Sequence, residues 1–212
     1  MRIMLGALAL LMSLGAVAQS SGSDTSYSEG EHYEVLADPV PSSAPGKIEV
    51  VEVFAYTCGH CYNFEPLIRA WKKEQQDDVA FVQAPAMWNA TMENYARGFY
   101  TAKALGILED VHSAVFTAVH QEGKRFNSAE QWADFLATYG VDREKVLKTF
   151  NSFGVTSQVR QADARVRGYK ISGTPEMVVN GQYRVSSRMT GSHSEMLRVV
   201  DYLVEQIRDG EL

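Results

Sequence analysis

The chain has 212 residues, of which 45% are hydrophobic and 22% are charged, and its formal net charge is −6. This length and composition are those of a globular domain with a sizeable core, so a disordered chain is excluded. The acidic balance gives no general electrostatic basis for binding nucleic acid. With two cysteines in total, a small disulfide-rich scaffold is also excluded.

The N-terminal residues have the pattern of an export signal. A positive start at Arg2 is followed by a mostly apolar run over 3–14 and by an Ala-Val-Ala cleavage site at 16–18. The alternative of a membrane anchor is disfavoured, because the run is shorter than the roughly 20 residues that span a bilayer. We therefore predict a signal peptide over 1–18 and a flexible polar leader over 19–31.

Strands and one helix are predicted next along the chain. A short edge strand is predicted within 32–36, and the nearly continuous apolar run 47–56 predicts a central strand that is buried on both faces. The Cys-x-x-Cys segment and a helix follow, and then a further strand is predicted over 79–83. The pattern turns helical after this strand.

A helical block and a C-terminal hairpin complete the predicted order. Apolar residues recur at helical spacing from about 92 to 168, with helix starts predicted at Ser128 and Asp142. Asn180 and Gly181 predict a hairpin turn between two short strands, and a capping pattern at Ser192 opens the last helix. The order predicts an α/β layer with a helical insertion.

The two cysteines, Cys58 and Cys61, are separated by Gly59 and His60 and are too close in sequence to close a stabilising loop. A strand that leads directly into them and a helix that follows place Cys58 at a helix N-terminus. The helix dipole and unpaired N–H groups there lower the pKa of a thiol, and the imidazole of His60 is expected to stabilise the thiolate. Cys61, one turn into the helix, is expected to be shielded and to resolve a mixed disulfide.

Other uses of a cysteine pair fit less well. Zinc would need two further ligands, and the other histidines show no paired spacing. A covalently attached haem needs a histidine after the second cysteine, where this chain has Tyr62. An inert buried pair is disfavoured by the position between a strand and a helix. Thiol–disulfide chemistry is the favoured interpretation.

Two stretches carry a resemblance to a known family. The segment VEVFAYTCGHCYNFEPL (51–67), the later ISGTPEMVVNG (171–181) and the amphipathic last helix resemble the DsbA family of exported thiol:disulfide oxidoreductases. The resemblance extends over nearly the whole mature chain. It implies a thioredoxin-like fold formed by 32–86 and 169–212, with the helical insertion over 87–168.

The resemblance also implies roles for individual residues. Cys58 would be the nucleophile and leaving group and Cys61 its buried partner, while Thr174 and Pro175 would form a cis-proline loop that binds an extended substrate. Glu52 would be a buried acid beneath Cys61 that relays its proton. The alternative for Glu52 is a solvated position on an edge strand.

Three further positions either have two interpretations or depart from the family pattern. Glu65 resembles a second family acid near the site, although an exposed helical residue is equally compatible with the sequence. Gly59 stands where DsbA proteins commonly have proline, and Thr174 stands where they usually have valine. Both departures concern the balance between thiolate and disulfide, and so the oxidising strength.

The function that the resemblance implies is a periplasmic dithiol oxidase. Its expected substrates are unfolded exported proteins with free thiols, and its expected redox partner is a DsbB-like membrane oxidase. We expect a monomer, no nucleic-acid partner, and no metal, nucleotide or flavin cofactor, because no phosphate-binding glycine loop appears.

Other functions stay open at this point. An isomerase or reductase of the same compartment is the first alternative, and a Cu(I)-binding protein with two soft sulfur ligands is a weaker one. Residence in the endoplasmic reticulum is disfavoured, because the C-terminal Asp-Gly-Glu-Leu departs from the retention signal Lys-Asp-Glu-Leu.

Overall fold

The computed structural model describes residues 26–212, and the predicted signal peptide over 1–18 lies outside the described residues. The five strands in the described part are β1 (Glu34–Val35), β2 (Ile48–Phe54), β3 (Val79–Pro85), β4 (Glu176–Val179) and β5 (Tyr183–Ser186). The eight helices there are α1 (Gly59–Glu74), α2 (Ala90–Ala104), α3 (Leu108–His120), α4 (Ala129–Ala137), α5 (Arg143–Phe150), α6 (Phe153–Gly168), α7 (Ser187–Thr190) and α8 (His193–Asp209). Within 26–212, no helix is long and apolar enough to cross a membrane.

Strand β2 lies inside a mixed sheet with the order β1-β5-β4-β2-β3. It pairs in parallel with β3 and antiparallel with β4. All seven of its residues are buried, since Val50 packs with residues of α1 and α8 and Val51 packs with Val166 of α6 on the other face. The prediction of a strand buried on both faces is confirmed.

The helices α2 to α6 lie between β3 and β4 in the chain and build a second core. Phe99, Phe116 and Trp132 pack there with Phe54 of the sheet and with Cys61. Ser128 accepts a hydrogen bond from the N–H of Gln131 at 3.4 Å, and Asp142 accepts one from Lys145 at 2.8 Å, as predicted for these helix starts. The domain limits at 87 and 168 stay predictions.

The C-terminal hairpin and last helix also follow the local sequence. Asn180 and Gly181 both have positive φ, 50° and 67°, in the turn between β4 and β5. Ser192 caps α8 by accepting a hydrogen bond from the N–H of Glu195 at 3.0 Å. Both predictions are confirmed.

The end of the predicted leader differs from expectation. Residues 19–25 lie outside the described part, but Tyr27 is buried and its hydroxyl donates a hydrogen bond to Glu195 at 2.7 Å. The ring of Tyr27 also contacts Tyr202 edge-on at 5.4 Å between centroids. A flexible leader over 26–31 is therefore a wrong prediction, because one aromatic side chain in this polar segment packs against α8.

Candidate active site

Cys58 lies at the junction between β2 and α1. The strand ends at Phe54, and after three residues Cys58 forms the N-cap of α1. Its side chain is half-buried, and its Sγ lies 3.2 Å from the carbonyl oxygen of Thr174. The positive end of the helix dipole acts on this position, so an anion is favoured there.

The pKa of the Cys58 thiol is lowered to about 5. The largest cause is a hydrogen bond from the Cys61 thiol, and the Thr174 side chain and the backbone N–H groups of Cys61 and His60 add to it, while burial opposes it. The Thr174 carbonyl acts in the other direction, because a carbonyl accepts a hydrogen bond only from the protonated thiol. The donors prevail, and Cys58 is a thiolate at neutral pH.

Cys61 has the opposite environment. It is completely buried in the core cluster that contains Phe54 and Tyr56, and its sulfur accepts a long hydrogen bond of 3.5 Å from the N–H of Ala55. Burial, followed by the hydrogen bond to Cys58, raises the pKa of Cys61 far above its ordinary value. Both cysteines are free thiols in this structure, so the pair combines an outer thiolate with an inner protonated thiol.

His60 and Gly59 are both exposed in the first turn of α1. His60 acts on Cys58 through its backbone N–H, whereas its imidazole lies 6.2 Å, between ring centroids, from His193 of α8. The expected stabilisation of the thiolate by the His60 imidazole stays a prediction. At Gly59, no described atom lies within 4 Å of where a Cβ would stand, so this position has room for a side chain.

Thr174 and Pro175 face the outer cysteine. The peptide bond between them is cis, and the Thr174 carbonyl contacts Cys58 Sγ, as described above. The structure therefore brings the predicted substrate-binding pair to the half-buried side of the Cys58 sulfur.

Glu52 lies in the interior of the sheet, and the alternative of a solvated edge position is excluded. It is 1% exposed, and its Oε2 accepts a hydrogen bond of 2.8 Å from the side-chain amide of Gln83 on β3. Burial raises the pKa of Glu52 to about 8; the Gln83 hydrogen bond lowers it and Glu65 raises it further. Glu52 therefore keeps its proton at neutral pH.

Glu65 is buried as well. It is connected to Glu52 through two residues that sequence reasoning missed, His112 and Gln83. Its Oε1 accepts a hydrogen bond of 2.6 Å from Ser113, and its Oε2 lies 3.4 Å from Nε2 of His112 on α3. The same Nε2 lies 2.9 Å from the amide nitrogen of Gln83. The only sequence signal for His112 was a histidine on the apolar face of a predicted helix.

Two other residues were also missed, His193 near the site and Glu49 on the opposite face of β2. Glu49, three residues before Glu52, is fully buried, and its Oε2 accepts a hydrogen bond of 2.6 Å from Arg165. Glu52 is therefore not the only acid inside the β2 run. His193 contacts the ring of Phe64 at 5.1 Å, and burial, then His60, lowers its pKa while Cys58 raises it.

Metal binding has few candidate ligands in the described part of the chain. No group of three or more His, Cys, Asp or Glu side chains within 26–212 could hold a metal ion. Cys58 and Cys61 offer two sulfur ligands, compared with the four ligands typical of structural zinc.

Comparisons with known proteins all give one family. The family described as DSBA-like thioredoxin domain matches residues 68–197. The chain is 43% identical over 206 residues to the thiol:disulfide interchange protein DsbA of Pseudomonas aeruginosa, covering 97% of this chain and 96% of that protein. It is 41% identical over 213 residues to the protein of the same name from Azotobacter vinelandii, covering 99% of each.

Solved structures give the same result. The crystal structure of Pseudomonas aeruginosa DsbA matches with a TM-score of 0.83 and 44% identity, covering 87% of this chain and 96% of that one. The oxidoreductase DsbA from Xylella fastidiosa matches with a TM-score of 0.82 and 36% identity, covering 86% and 98%. The fold is thus thioredoxin-like, with the helices α2 to α6 inserted between β3 and β4.

Fold and site together define a thiol:disulfide oxidoreductase of the thioredoxin superfamily. Within that class, the chain belongs to the DsbA-like thioredoxin domain family.

Proposed function

We propose that this oxidoreductase is a dithiol oxidase, which introduces disulfide bonds into exported proteins through Cys58 and Cys61. The main support is the contrast between a half-buried thiolate at Cys58 and a buried thiol at Cys61. A stabilised thiolate favours the reduced protein over its disulfide, and such a disulfide is a strong oxidant.

The reaction has two exchange steps. A substrate thiolate attacks Sγ of Cys58, the bond between Cys58 and Cys61 breaks, and the electron pair goes to the Cys61 sulfur, which takes up a proton. A second substrate thiolate then attacks the substrate sulfur of the mixed disulfide, and Cys58 leaves as a thiolate. The substrate is oxidised by two electrons, and the protein is reduced by two.

The surrounding residues have proposed supporting roles. Thr174 and Pro175 would bind the substrate backbone, because they contact the sulfur that is attacked. Glu52, which holds a proton at neutral pH, would supply the proton for Cys61. The Gly59-His60 turn would direct main-chain donors at Cys58, and Glu65 would support the buried acid.

The proposed cellular setting follows from the predicted export signal over 1–18 and the family. The mature protein would act in the periplasm as a monomer, on unfolded exported proteins with free thiols. A DsbB-like membrane oxidase would restore its disulfide. Fusion of residues 1–31 to a reporter enzyme that is active only after export would test the location, and a reporter retained in the cytoplasm would contradict it.

The decisive experiment is the reduction potential of the cysteine pair, measured by equilibration of the purified protein with glutathione buffers. A value near roughly −120 mV, as for known DsbA, is expected for a disulfide donor. A value near the roughly −270 mV of thioredoxin would overturn the oxidase and favour a reductase.

Serine variants test the assignment of the two cysteines. Cys58→Ser is expected to abolish oxidation of a reduced substrate, and Cys61→Ser to accumulate mixed disulfides visible on non-reducing gels. Continued turnover by the Cys58→Ser protein would contradict the mechanism.

The alternative of an isomerase or reductase rests on two residues that depart from the usual DsbA pattern, Gly59 and Thr174. A potential near roughly −180 mV, as for protein disulfide isomerase, would support it. Gly59→Pro should fold normally, because proline is favoured at the first helical position, and it tests whether this residue sets the potential. Thr174→Val removes a hydroxyl that lowers the pKa of Cys58, so the thiol pKa should rise.

A further inference from the structure

The inner cysteine poses a problem of proton supply. Under the proposed oxidase function, on which this inference rests, the Cys61 sulfur leaves as a thiolate and needs a proton. Cys61 is completely buried, so water does not reach it directly. Glu52 lies on the same face of β2 as Phe54, which packs in one cluster with Cys61, and it is the nearby acid that carries a proton at neutral pH.

Donation by Glu52 would leave an isolated charge in the core. Glu52 accepts one hydrogen bond, from Gln83, while its other oxygen, Oε1, has no hydrogen-bond partner among the described residues. A buried carboxylate with so little compensation is costly. A positive charge nearby at the same moment would reduce this cost.

His112 is placed to supply that charge. Its Nδ1 is hydrogen-bonded to the hydroxyl of Tyr56 at 2.7 Å, and its Nε2 has two different neighbours. The Gln83 amide nitrogen, 2.9 Å away, can donate to Nε2 when the ring is neutral. The Oε2 of Glu65, 3.4 Å away, has no hydrogen-bond partner within 26–212 and can accept from Nε2 when the ring is protonated and the Gln83 amide N–H has turned away from it. Both protonation states of His112 therefore have a partner.

A crevice connects His112 to the surface. It has a volume of about 30 Å³ and lies between α1, β3 and α3. Gln83 and His112 line it together with the exposed side chains of Arg69 and Glu109. This volume is enough for one water molecule, which the polar lining can bind.

We infer that His112 takes up a proton from water in this crevice as Glu52 passes its own proton to Cys61, and that it returns the proton to water when Cys61 is oxidised again. In the reductive direction, the disulfide bond breaks, the electron pair goes to Cys61, one proton moves from Glu52 to Cys61, and one enters from solvent to His112. His112 thus affects the cysteine pair only through Glu52, and in this sense it is a positioning residue.

Charged and titratable groups of several elements contact His112 or line the same crevice. The Phe99 ring of α2 packs against it without adding charge. The polar and charged neighbours are Glu65, Arg69 and Lys72 of α1, Tyr56 after β2, Glu52 through Gln83, and Glu109 and Ser113 of α3. Any of these groups can contribute to a pH dependence of the reduction rate, so a matched control variant is required.

The test compares His112→Phe with His120→Phe in the full mature protein. Phenylalanine suits a site surrounded by Phe54, Phe99 and Phe116. His120 lies on the same helix but bonds to the carbonyl of Tyr56, away from Glu52. The rate of disulfide reduction by dithiothreitol is measured by stopped-flow fluorescence from about pH 5 to about pH 8, in H₂O and in D₂O.

His112→Phe is expected to slow reduction by about 10- to 100-fold at acidic pH, at or below the usual contribution of acid–base assistance. The ratio of wild-type to variant rates should fall as pH rises, because proton uptake from water then becomes less favourable, and the solvent isotope effect should shrink. His120→Phe should stay within about twofold of the wild type. Ultraviolet absorbance of the Cys58 thiolate against pH should be the same in all three proteins.

Glu65→Gln keeps the test valid should His112→Phe fail to fold. This substitution removes the carboxylate that accepts a hydrogen bond from protonated His112. It should therefore also slow reduction of the disulfide, by a smaller factor than His112→Phe. Wild-type rates with no pH-dependent ratio in His112→Phe, or in Glu65→Gln where His112→Phe does not fold, would overturn the inference. If Cys58→Ser is inactive at the same time, the proposed oxidase stands and only the role of His112 falls; if Cys58→Ser still oxidises substrates, the oxidase itself fails.

Discussion

Two acids of one strand, Glu49 and Glu52, are equally buried but have different surroundings. They lie three residues apart on opposite faces of β2, with 0% and 1% exposure. Glu49 pairs with the guanidinium of Arg165 and also accepts a hydrogen bond of 3.0 Å from the N–H of Ser43. Glu52 has the neutral amide of Gln83 as its hydrogen-bond donor.

The difference shows that the partner, rather than burial, decides what a buried carboxyl group can do. An ion pair with a hydrogen-bonded cation holds a carboxylate in its charged form. A neutral amide compensates much less, and the pKa of Glu52 is raised to about 8 mainly by burial. Glu49 therefore joins the sheet to α6, whereas Glu52 can hold a proton and release it.

The largest effect is expected when Glu49 loses its cation. Arg165→Met should lower the free energy of unfolding by about 3–4 kcal/mol, because a buried carboxylate is left without its partner. Urea denaturation measures this loss, and Arg167→Met, which breaks an exposed pair with Asp163 on the same helix, is the control, with a loss below about 1 kcal/mol. Equal losses in both variants would mean that the Glu49 pair has no special role.

The second effect has the opposite sign. Glu52→Gln should raise the free energy of unfolding by about 3–3.5 kcal/mol at pH 7, at about 1.4 kcal/mol for each of the roughly 2.5 pH units between the ordinary pKa of 4.5 and pH 7. The pKa of Glu52 is about 8 in the folded protein against an ordinary 4.5, so the folded state binds the extra proton between these values. Wild-type stability therefore falls as pH rises from about 4.5 to about 8, and the variant lacks this component. Urea titrations at several pH values would show the gap widening across this window, and a constant gap would contradict it.

The contrast between these acids also shows what the sequence can predict. The Cys58 junction was predictable, because a continuous apolar strand, Cys-x-x-Cys and a helix are all local patterns. The burial of Glu65 and the contacts of His112 were not, because they depend on which faces of α1 and α3 meet. Glu49 was overlooked for the same reason: its compensating Arg165 lies 116 residues later in the chain. Tyr27 is similar, since its partner Glu195 lies 168 residues away.

A smaller effect is expected when Glu52 receives the kind of partner that Glu49 has. Gln83→Lys should lower the pKa of Glu52 by about 1–2 units, because an ammonium group next to a carboxylate favours its charged form. Gln83→Met, the uncharged control, should raise the pKa instead, since the amide hydrogen bond is lost. NMR titration of the Glu52 carboxyl carbon measures both shifts. A shift in the same direction in the two variants would show that charge is not the controlling property at this position.

The smallest effect concerns the neutral donors around Glu49. The Ser43 hydroxyl donates to its Oε1, next to the Ser43 N–H, and Ser43→Ala removes the hydroxyl while Arg165 and the N–H remain. The free energy of unfolding should fall by about 0.5–1.5 kcal/mol, the net value of one hydrogen bond, and thiol exchange should be unchanged, because Glu49 faces away from the cysteines. A loss as large as that of Arg165→Met would mean that the hydroxyl, rather than the cation, compensates this charge. The difference between Glu49 and Glu52 would then come from the number of hydrogen-bond donors around each carboxyl group and not from the charge of the donor.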